Sequence, residues 1–533
     1  MKGIFYLLLF CSGSLFAQNL EWARSAGELS RDVSRGVCVD ANGNVIVTGY
    51  FSGLIKFDET YTGRGNDDVF IAKFDSAGNV LWVKTAGGPN DDIAIGIAAD
   101  NEGNIFVAGA FDSVAFFDNV LLSSNGKKDV FIAKYSTTGD LLWAKRAGGS
   151  GFDQAFALAV DKFGEVYITG VFEGFAGFGN ILLTSKGNTD VFIVKYDAMG
   201  NNIWAKRAGG SKEDFGFSIA TDFERSCYIT GSFNDLADFG IVNLDAPSVS
   251  SEIYVAKIDS LGQWEWVQQA GGLTGDASYA ITVDNDRNAY ITGYYSAIAY
   301  FGSFTLEAQA YNDIFVAKYS TKGLCVWAKS AGFLGLDIGT GISVANDGSV
   351  FVAGAIDSIG VFENDTIGAA NDQDMFLAKW DKFGNYQWVR SGEGPNFQLA
   401  MATAVGKSNE VYVAGYYYAV LELGDTTLFQ SQDADIFLLK YNDPMLSNAE
   451  ILFGKNKLRV YPNPFQNSIY INYSNIQPDL IQVYDYIGRQ VTAEINQLNN
   501  TTISVSLSNT SPGIYFIKCV VGKETFVIKA VSK

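Results

Sequence analysis

The sequence predicts an all-β protein: a ring of seven four-stranded sheets, followed by a small C-terminal β-sandwich. Three observations support this prediction: tryptophans at an almost constant spacing, strand-like segments that recur with them, and a tail in which the period stops. A fixed period of this length indicates one supersecondary unit copied many times. The periodic tryptophans, 60 to 62 residues apart, are Trp22, Trp82, Trp143, Trp204, Trp266, Trp327 and Trp388.

Each repeat contains three further segments that predict strands. They are short, rich in β-branched, aromatic or small residues, and bounded by turns, as in Val45–Tyr50 and Asp68–Lys73. Turn strings such as Asp75–Gly78 separate them, because an aspartate side chain can bond its own backbone and glycine accepts a positive φ. Together with the tryptophan segment, each repeat therefore holds about four strands. We expect the tryptophans to pack between sheets, and a glycine in the second strand, such as Gly109, to admit a neighbouring aromatic ring.

The two ends of the repeat region complement each other. Leu20–Ala26 is a lone tryptophan segment, whereas the last repeat stops after Asp435–Tyr441 without one. Four-stranded sheets repeated radially form a β-propeller, and a solenoid would need atypical capping repeats instead. We therefore expect a seven-bladed β-propeller over residues 18–442, in which the N-terminal strand closes the last blade.

The repeat resembles the SBBP β-propeller repeat of bacterial exported proteins. The strings that carry this resemblance are Asp129–Tyr135 and Trp143–Gly149, the latter ending in Ala-Gly-Gly. The resemblance extends over roughly residues 20–442 and implies the propeller fold without implying an activity.

The N-terminus has the pattern of an export signal. Lys2 is followed by the apolar run Ile4–Phe10 and by small residues ending at Ala17. We expect residues 1–17 to be a cleaved signal peptide, because the apolar run is too short to span a bilayer. No later stretch predicts a transmembrane segment.

The tail predicts a second domain. Residues 443–457 are interpreted as a linker and residues 458–533 as the β-sandwich, with strand-like segments such as Ser468–Tyr473 and Ile514–Val520. The tail resembles the type A C-terminal sorting domain of the type IX secretion system of Bacteroidetes. This resemblance implies contact with the type IX secretion machinery, export across the outer membrane, and secretion or attachment at the outer cell surface. The residues that carry it are Tyr461, Pro462, Asn463, Pro464, Gly488, Gly513, Tyr515, Lys529 and Lys533.

The composition argues against several classes of function. A net charge of −20 disfavours nucleic acid as a partner, because nucleic-acid binding needs a basic surface. The chain has no histidine, which excludes Ser-His-Asp and Cys-His catalysis and the usual zinc sites. The four cysteines after the signal do not recur with the repeat, so neither a disulfide framework nor a cysteine metal site is expected.

Carboxylates remain as candidate site residues, since an acid precedes the innermost strand in six repeats and Gln398 takes its place in the seventh. These acids are expected to form a ring near one mouth of the channel, where they could bind a cation such as calcium. Alternatively, each side chain bonds backbone amides, and its recurrence favours this structural role. Asp284–Asn288 resembles a calcium loop only faintly, and we expect no other cofactor. The ring comprises Asp32, Asp92, Asp153, Asp214, Asp276 and Asp337.

Two further charged sets recur around the third strand, and we expect them to form solvated ion pairs that help to set strand register. The acidic set is Asp68, Asp129, Asp190, Glu252, Asp313, Asp374 and Asp435. The basic set is Lys73, Lys134, Lys195, Lys257, Lys318, Lys379 and Lys440.

The repeats contain no unique catalytic cluster. The sequence therefore predicts an exported scaffold without catalytic activity, which binds an extracellular protein or glycan or contributes to the cell surface. The variable connections between second and third strands are the expected ligand positions. The alternative is a carboxylate-based enzyme acting on polysaccharide, a glycosidase or lyase, which would need two unrepeated acids at glycosidase spacing.

Overall fold

The computed structural model describes residues 20–246, 250–363, 365–430, 433–442, 450–453, 456–461, 468–473, 478–485, 489–499, 502–507, 513–521 and 524–532. Within these ranges every regular element is a β-strand, so the predicted all-β class is confirmed. The strands fall into two compact units, Met1–Asn442 and Asp443–Lys533. The predicted signal peptide, residues 1–17, lies outside the described residues.

The first unit repeats one antiparallel pattern of four strands, named here from the inner strand to the fourth. The inner strands are Asp32–Val39, Asp92–Ala99, Gln154–Val160, Phe215–Thr221, Ala277–Val283, Ile338–Val344 and Gln398–Val405. The second strands are Val45–Lys56, Ile105–Phe117, Val166–Phe172, Cys227–Asn234, Ala289–Phe301, Val350–Phe362 and Glu410–Tyr417. The third strands are Thr60–Phe74, Val120–Tyr135, Asp190–Tyr196, Ser251–Ile258, Phe304–Tyr319, Asp365–Trp380 and Asp435–Asn442. The fourth strands are Leu20–Ala26, Val80–Ala86, Leu141–Gly149, Asn202–Gly210, Trp264–Gly272, Cys325–Ala331 and Tyr386–Ser391.

The N-terminal strand completes the last of these sheets. Leu20–Ala26 pairs antiparallel with Asp435–Asn442, from Leu20 opposite Tyr441 to Ala26 opposite Ile436. The inner strands contact one another in chain order, and the seventh, Gln398–Val405, contacts the first, Asp32–Val39. The inner strands therefore form a closed cycle, which surrounds a central cavity.

The variable connections between second and third strands form β-hairpins rather than open loops. In four sheets the hairpin continues these two strands, and elsewhere it is separate. Hairpins also pair with the end of the preceding fourth strand, as Ala176 does with Gly149 and Ala237 with Gly210. The separate hairpins are Phe175–Phe178 with Ile181–Thr184, Leu236–Asp238 with Asn243–Asp245, and Val420–Leu423 with Thr426–Phe429.

The periodic tryptophans join neighbouring sheets. The indole N–H of Trp82 donates to the carbonyl of Thr137, which belongs to a turn of the next sheet, at 3.1 Å. Gly139 of the same turn packs on the Trp82 ring, and a Cβ at this glycine would lie 3.0 Å from the indole. The same indole-to-turn bond is made by Trp22, Trp143, Trp204, Trp266 and Trp327.

Replacing Trp143 with phenylalanine is expected to lower the free energy of unfolding by about 1 kcal/mol. The variant keeps an aromatic ring at this position but loses the 3.3 Å hydrogen bond from the indole N–H to the Ala198 carbonyl. Urea denaturation measures the change. Trp264→Phe is the control, since the described residues offer its indole N–H no acceptor. An equal change in both variants would contradict the role assigned to the Trp143 bond.

Six of the seven lysines that end the third strands are buried and Lys318 is partly buried, so the expectation of solvated pairs with the preceding acidic set is wrong. Lys73 is 2% exposed, and its Nζ lies 2.8 Å from Oδ2 of Asp40 in the turn after the inner strand. Lys195 similarly lies 2.6 Å from Glu165. The turns of the next sheet cover these lysines, as the bond from Lys73 to the Thr137 carbonyl shows.

The second unit contains two antiparallel sheets that share one apolar core. The first sheet comprises Glu450–Phe453, Asn456–Tyr461, Ser468–Tyr473, Thr502–Leu507 and Ala493–Asn499. The second comprises Gln490–Val491, Leu480–Asp485, Gly513–Val521 and Glu524–Ser532. Strand Glu450–Phe453 lies inside the segment that the sequence assigns to the linker. The shared core includes Ile469, Ile471, Val483, Val505, Ile517 and Cys519.

The sorting residues of the tail are only partly described. Tyr515 is buried in the core, at 7% exposure, and Tyr461 ends a strand. Gly513 and Lys529 lie in the last two strands. The sorting residues that fall outside the described part of the chain are Pro462, Asn463, Pro464, Gly488 and Lys533.

Candidate functional site

The predicted acidic ring is buried at the starts of the inner strands. Asp92 and Asp153 are 0% exposed, and the other four aspartates and Gln398 are equally inaccessible, at 0 to 1%. One carboxylate oxygen accepts a backbone N–H from the residue four positions earlier, as Asp92 does from Gly88 and Asp153 from Gly149, both at 2.6 Å. These acids therefore fix the connection that enters each inner strand.

In five of these acids the second carboxylate oxygen holds the end of the second strand, whereas Oδ1 of Asp32 has no hydrogen-bond partner among the described residues. Oδ1 of Asp276 accepts the N–H of Ser296 at 2.9 Å, and Oδ1 of Asp337 accepts that of Asp357 at 2.8 Å. Asp92, Asp153 and Asp214 make the equivalent bond. These hydrogen bonds join two separate segments of the chain, so the acids act as structural clamps. None of the six aspartates lines the central cavity.

The acidic set before the third strands lies beside this ring. Gly87 illustrates the arrangement, since a Cβ there would lie 2.0 Å from the Asp68 carboxylate and 3.0 Å from that of Asp92. Burial is the main cause that raises the pKa of Asp92, two backbone hydrogen bonds oppose it and the nearby Asp68 adds to it, and the net pKa is about 7. Burial likewise raises the pKa of Asp32 to about 8.

Cation binding finds no support among these carboxylates. Within the described residues, no group of three or more Cys, Asp or Glu side chains is arranged to hold a metal ion. Asp284 accepts the backbone N–H groups of Asp286 and Asn288, at 2.9 and 2.8 Å, and so forms an ordinary turn.

The central cavity has a volume of about 480 Å³ and is lined by the inner strands. Each inner strand is interrupted by a β-bulge at the same place, for example between Ser34 and Gly36 in the first and between Ala155 and Ala157 in the third. A bulge adds one residue against its partner strand and can redirect a side chain. Here the extra residue of every inner strand lines the cavity.

These bulged residues combine accessibility with variety. All seven are partly exposed, whereas the residue before each of them is buried. Their flanking residues are small, and their own side chains differ in size, charge and polarity. We call them the bulge set: Arg35, Ile95, Phe156, Phe217, Tyr279, Thr340 and Met401.

Sequence reasoning missed the bulge set, although the sequence carries a signal for it. Each member stands three positions after an acid of the ring, or after Gln398, in a segment that otherwise recurs. A position whose residue varies while the surrounding residues recur is a candidate ligand contact, because the scaffold does not require one particular residue there. Aromatic residues in the variable connections, the ligand positions expected from the sequence, differ widely in exposure, since Phe178 is 1% exposed and Tyr300 is 56% exposed.

Two family models match parts of the chain. Residues 459–533 match the secretion system C-terminal sorting domain, and residues 81–110 and 265–294 match the SBBP β-propeller repeat. The chain thus carries β-propeller repeats and a type IX sorting domain, which indicates export to the cell surface or the medium and contact with the secretion machinery. No described helix is long and apolar enough to cross a membrane.

Curated relatives are distant and longer than this chain. An uncharacterised WD repeat-containing protein of Acanthamoeba polyphaga mimivirus is 21% identical over 497 residues, covering 74% of this chain and 36% of the relative. The regulatory protein FlaEY of Caulobacter vibrioides is 24% identical over 323 residues, covering 55% and 33%. The chain therefore spans about a third of the length of these relatives.

The solved structures that match this chain are more remote in sequence. A puromycin hydrolase mutant is 10% identical, with a TM-score of 0.39 over 84% of this chain and 61% of its own. A structural genomics protein of unknown function from Bacteroides thetaiotaomicron is 11% identical, with a TM-score of 0.26 over 78% of this chain and 98% of its own.

Proposed function

We propose that this protein is an exported binding protein without catalytic activity, whose ligand enters the central cavity of a seven-bladed β-propeller. In this proposal residues 1–17 are the signal peptide, 18–442 the propeller, 443–457 the linker and 458–533 a sorting β-sandwich. The closed cycle of inner strands and the pairing of Leu20–Ala26 with Asp435–Asn442 support the propeller. The two sheets around one core support the sandwich.

The bulge set is the observation that carries the binding function. Everything around it recurs: the buried clamp acids, the tryptophan contacts and the small flanking residues. A propeller that served only as a spacer would have no need for six different types of side chain at the seven bulged positions. Variable side chains on a rigid, repeated scaffold are typical of a ligand site.

The lining of the cavity supports binding over polysaccharide cleavage. Glycosidases use two carboxyl groups on either side of the scissile bond. The described residues that line this cavity include no aspartate or glutamate. The acids that do lie close together are buried, and they recur from sheet to sheet as structural pairs.

Filling the cavity tests this proposal. The full chain is screened by thermal shift against extracellular glycans, proteins and small molecules, and each hit is repeated with Thr340→Trp, which places a large ring in the cavity. We expect this variant to abolish the thermal shift, because ligand and indole would compete for the same volume of about 480 Å³. Thr427→Trp, on an exposed hairpin, is the matched control and should leave every hit unchanged.

Hits that survive Thr340→Trp, or the absence of any hit, would contradict binding in the cavity. The screen also addresses the enzyme alternative. Turnover of a polysaccharide by the purified chain would contradict the proposal that the protein is a binding protein only.

A further inference from the structure

The side chains of the bulge set are distributed unevenly around the cavity. Arg35 belongs to the first inner strand, and Phe156, Phe217 and Tyr279 belong to the third, fourth and fifth. Because the inner strands follow one another in a closed cycle, the fourth and fifth lie farthest from the first. The cavity therefore has a cationic side and an aromatic side.

The cationic side consists of a single guanidinium. Arg35 is the only charged residue among the described residues that line the cavity. Among the described residues, its buried Nε has no hydrogen-bond partner, and its Nη1 has only the sulfur of Met401, at 4.0 Å. A partly buried charge without a counterion is unfavourable, and an anion with good hydrogen-bonding geometry relieves that cost.

Arg31 provides a comparison within the same repeat. Its guanidinium lies 2.9 Å from the Asp67 carboxylate and stacks over the Tyr50 ring at 5.3 Å. Arg31, outside the cavity, thus has a carboxylate partner, whereas no carboxylate of the described residues pairs with Arg35 inside it. The difference indicates that the partner of Arg35 comes from outside the chain.

The aromatic side is a continuous surface. The rings of Phe156 and Phe217 lie 5.4 Å apart, and those of Phe217 and Tyr279 lie 5.0 Å apart. Phe215 stacks behind Phe217 at 5.2 Å and 7°, which holds that ring in place. All three rings of the bulge set remain partly exposed, so they present an apolar surface to a flat ligand.

We propose that the central cavity binds a small aromatic carboxylate, with the carboxylate at Arg35 and the ring against Phe156, Phe217 and Tyr279. The cavity volume of about 480 Å³ falls within the range of small-molecule pockets. Arg35 supplies a charged fork for two carboxylate oxygens, and the rings opposite supply stacking and apolar burial. This inference rests on the proposed function, because it names the ligand class of the same cavity.

The first experiment uses the unmodified full chain and isothermal titration calorimetry. The probes are 3-phenylpropionate, its neutral analogue 3-phenylpropanamide, and hexanoate, which keeps the charge but has no ring. We expect 3-phenylpropionate to bind about tenfold more tightly than either analogue, because each of them lacks one of the two contacts. Equal affinity for the carboxylate and the amide, or no binding of 3-phenylpropionate at millimolar concentration, would overturn the proposal.

The second experiment assigns the charge contact to Arg35. Arg35→Met keeps an unbranched apolar stem and removes the charge, so it should weaken the binding of 3-phenylpropionate about tenfold and leave that of the amide within about twofold. Arg64→Met makes the same change of net charge over the Phe116 ring, outside the cavity lining, and should alter neither affinity. An equal loss for both probes in Arg35→Met would count against a carboxylate at this position.

Failure of this inference and failure of the proposed function give different results. If other compounds bind in a way that Thr340→Trp abolishes and Arg35→Met does not change, the cavity is a binding site for a different ligand class. If no compound gives a signal that depends on Thr340→Trp, the binding function itself is wrong.

Discussion

Replacing Gly109 with alanine is expected to unfold the first unit or to destabilise it by more than about 3 kcal/mol, the upper end of ordinary overpacking. A Cβ at Gly109 would lie 1.9 Å from the carbonyl oxygen of Ile93 and 2.9 Å from the Cα of Ala94, both on the inner strand. Backbone atoms cannot rotate away as a side chain can, so the two strands would have to separate.

The same contact occurs in every sheet, which makes it a property of the repeat. At each of these glycines the closest neighbour is a backbone carbonyl oxygen of the inner strand and not the predicted aromatic ring. The inner-strand bulge lies at this point of the register, since Ala94 pairs with Gly109 and the register shifts between Ala94 and Gly96. A Cβ would lie 1.8 to 2.1 Å from this carbonyl at Gly49, Gly109, Gly170, Gly231, Gly293, Gly354 and Gly415.

Gly368→Ala is the control for this substitution. Gly368 also lies in a strand of the first unit, but among the described residues, its chain neighbours apart, no atom lies within 4 Å of the position that a Cβ would take. We expect this control to change stability by less than about 0.5 kcal/mol. Denaturant unfolding followed by tryptophan fluorescence measures both variants. A Gly109→Ala chain with the same midpoint as the unmodified protein would contradict the backbone contact.

Much of the fold could be predicted because it depends on local patterns that recur. The period of the tryptophans, the strand-like segments and the complementary ends at Leu20–Ala26 and Asp435–Tyr441 are all visible in the sequence. The burial of Lys73 was not predictable in the same way. Its environment depends on Asp40 of its own sheet and Thr137 of the next, which only the packing of sheets brings together.

The candidate site was harder to predict than the fold. The acids of the ring were found by their recurrence, but recurrence marks what the scaffold needs, and Asp92 and Asp153 clamp backbone amides. The bulge set was missed because a bulge shifts the alternation of inward and outward side chains by one residue. A strand of small residues such as Ala155 and Ala157 gives no hydrophobic alternation from which that shift could be read.

The buried acids make the stability of the first unit depend on pH. This dependence follows from their burial, which the sequence alone does not show. Burial raises the pKa of Asp92, Asp153, Asp276 and Asp337 to about 7, above the value of about 3.9 for an unfolded aspartate. Between these values the folded protein binds more protons than the unfolded chain. Stability from these groups is therefore fully present below about pH 4 and is lost as the pH rises through about 7.

We therefore expect the first unit to melt at a lower temperature at pH 9 than at pH 5. Each of these aspartates contributes a difference on the order of 3 kcal/mol between pH 5 and pH 9, because about two of the three pKa units lie above pH 5 and each corresponds to about 1.4 kcal/mol. Gln398, the natural replacement in the seventh repeat, indicates that an amide is tolerated at this position. Asp92→Asn should accordingly reduce the loss of melting temperature between pH 5 and pH 9. Asp75→Asn is the control, because hydrogen bonds from Asn79 lower the pKa of Asp75, which then titrates below this window. A melting temperature that rises from pH 5 to pH 9 would show that these carboxyls are charged in the folded protein and that their amide bonds outweigh burial.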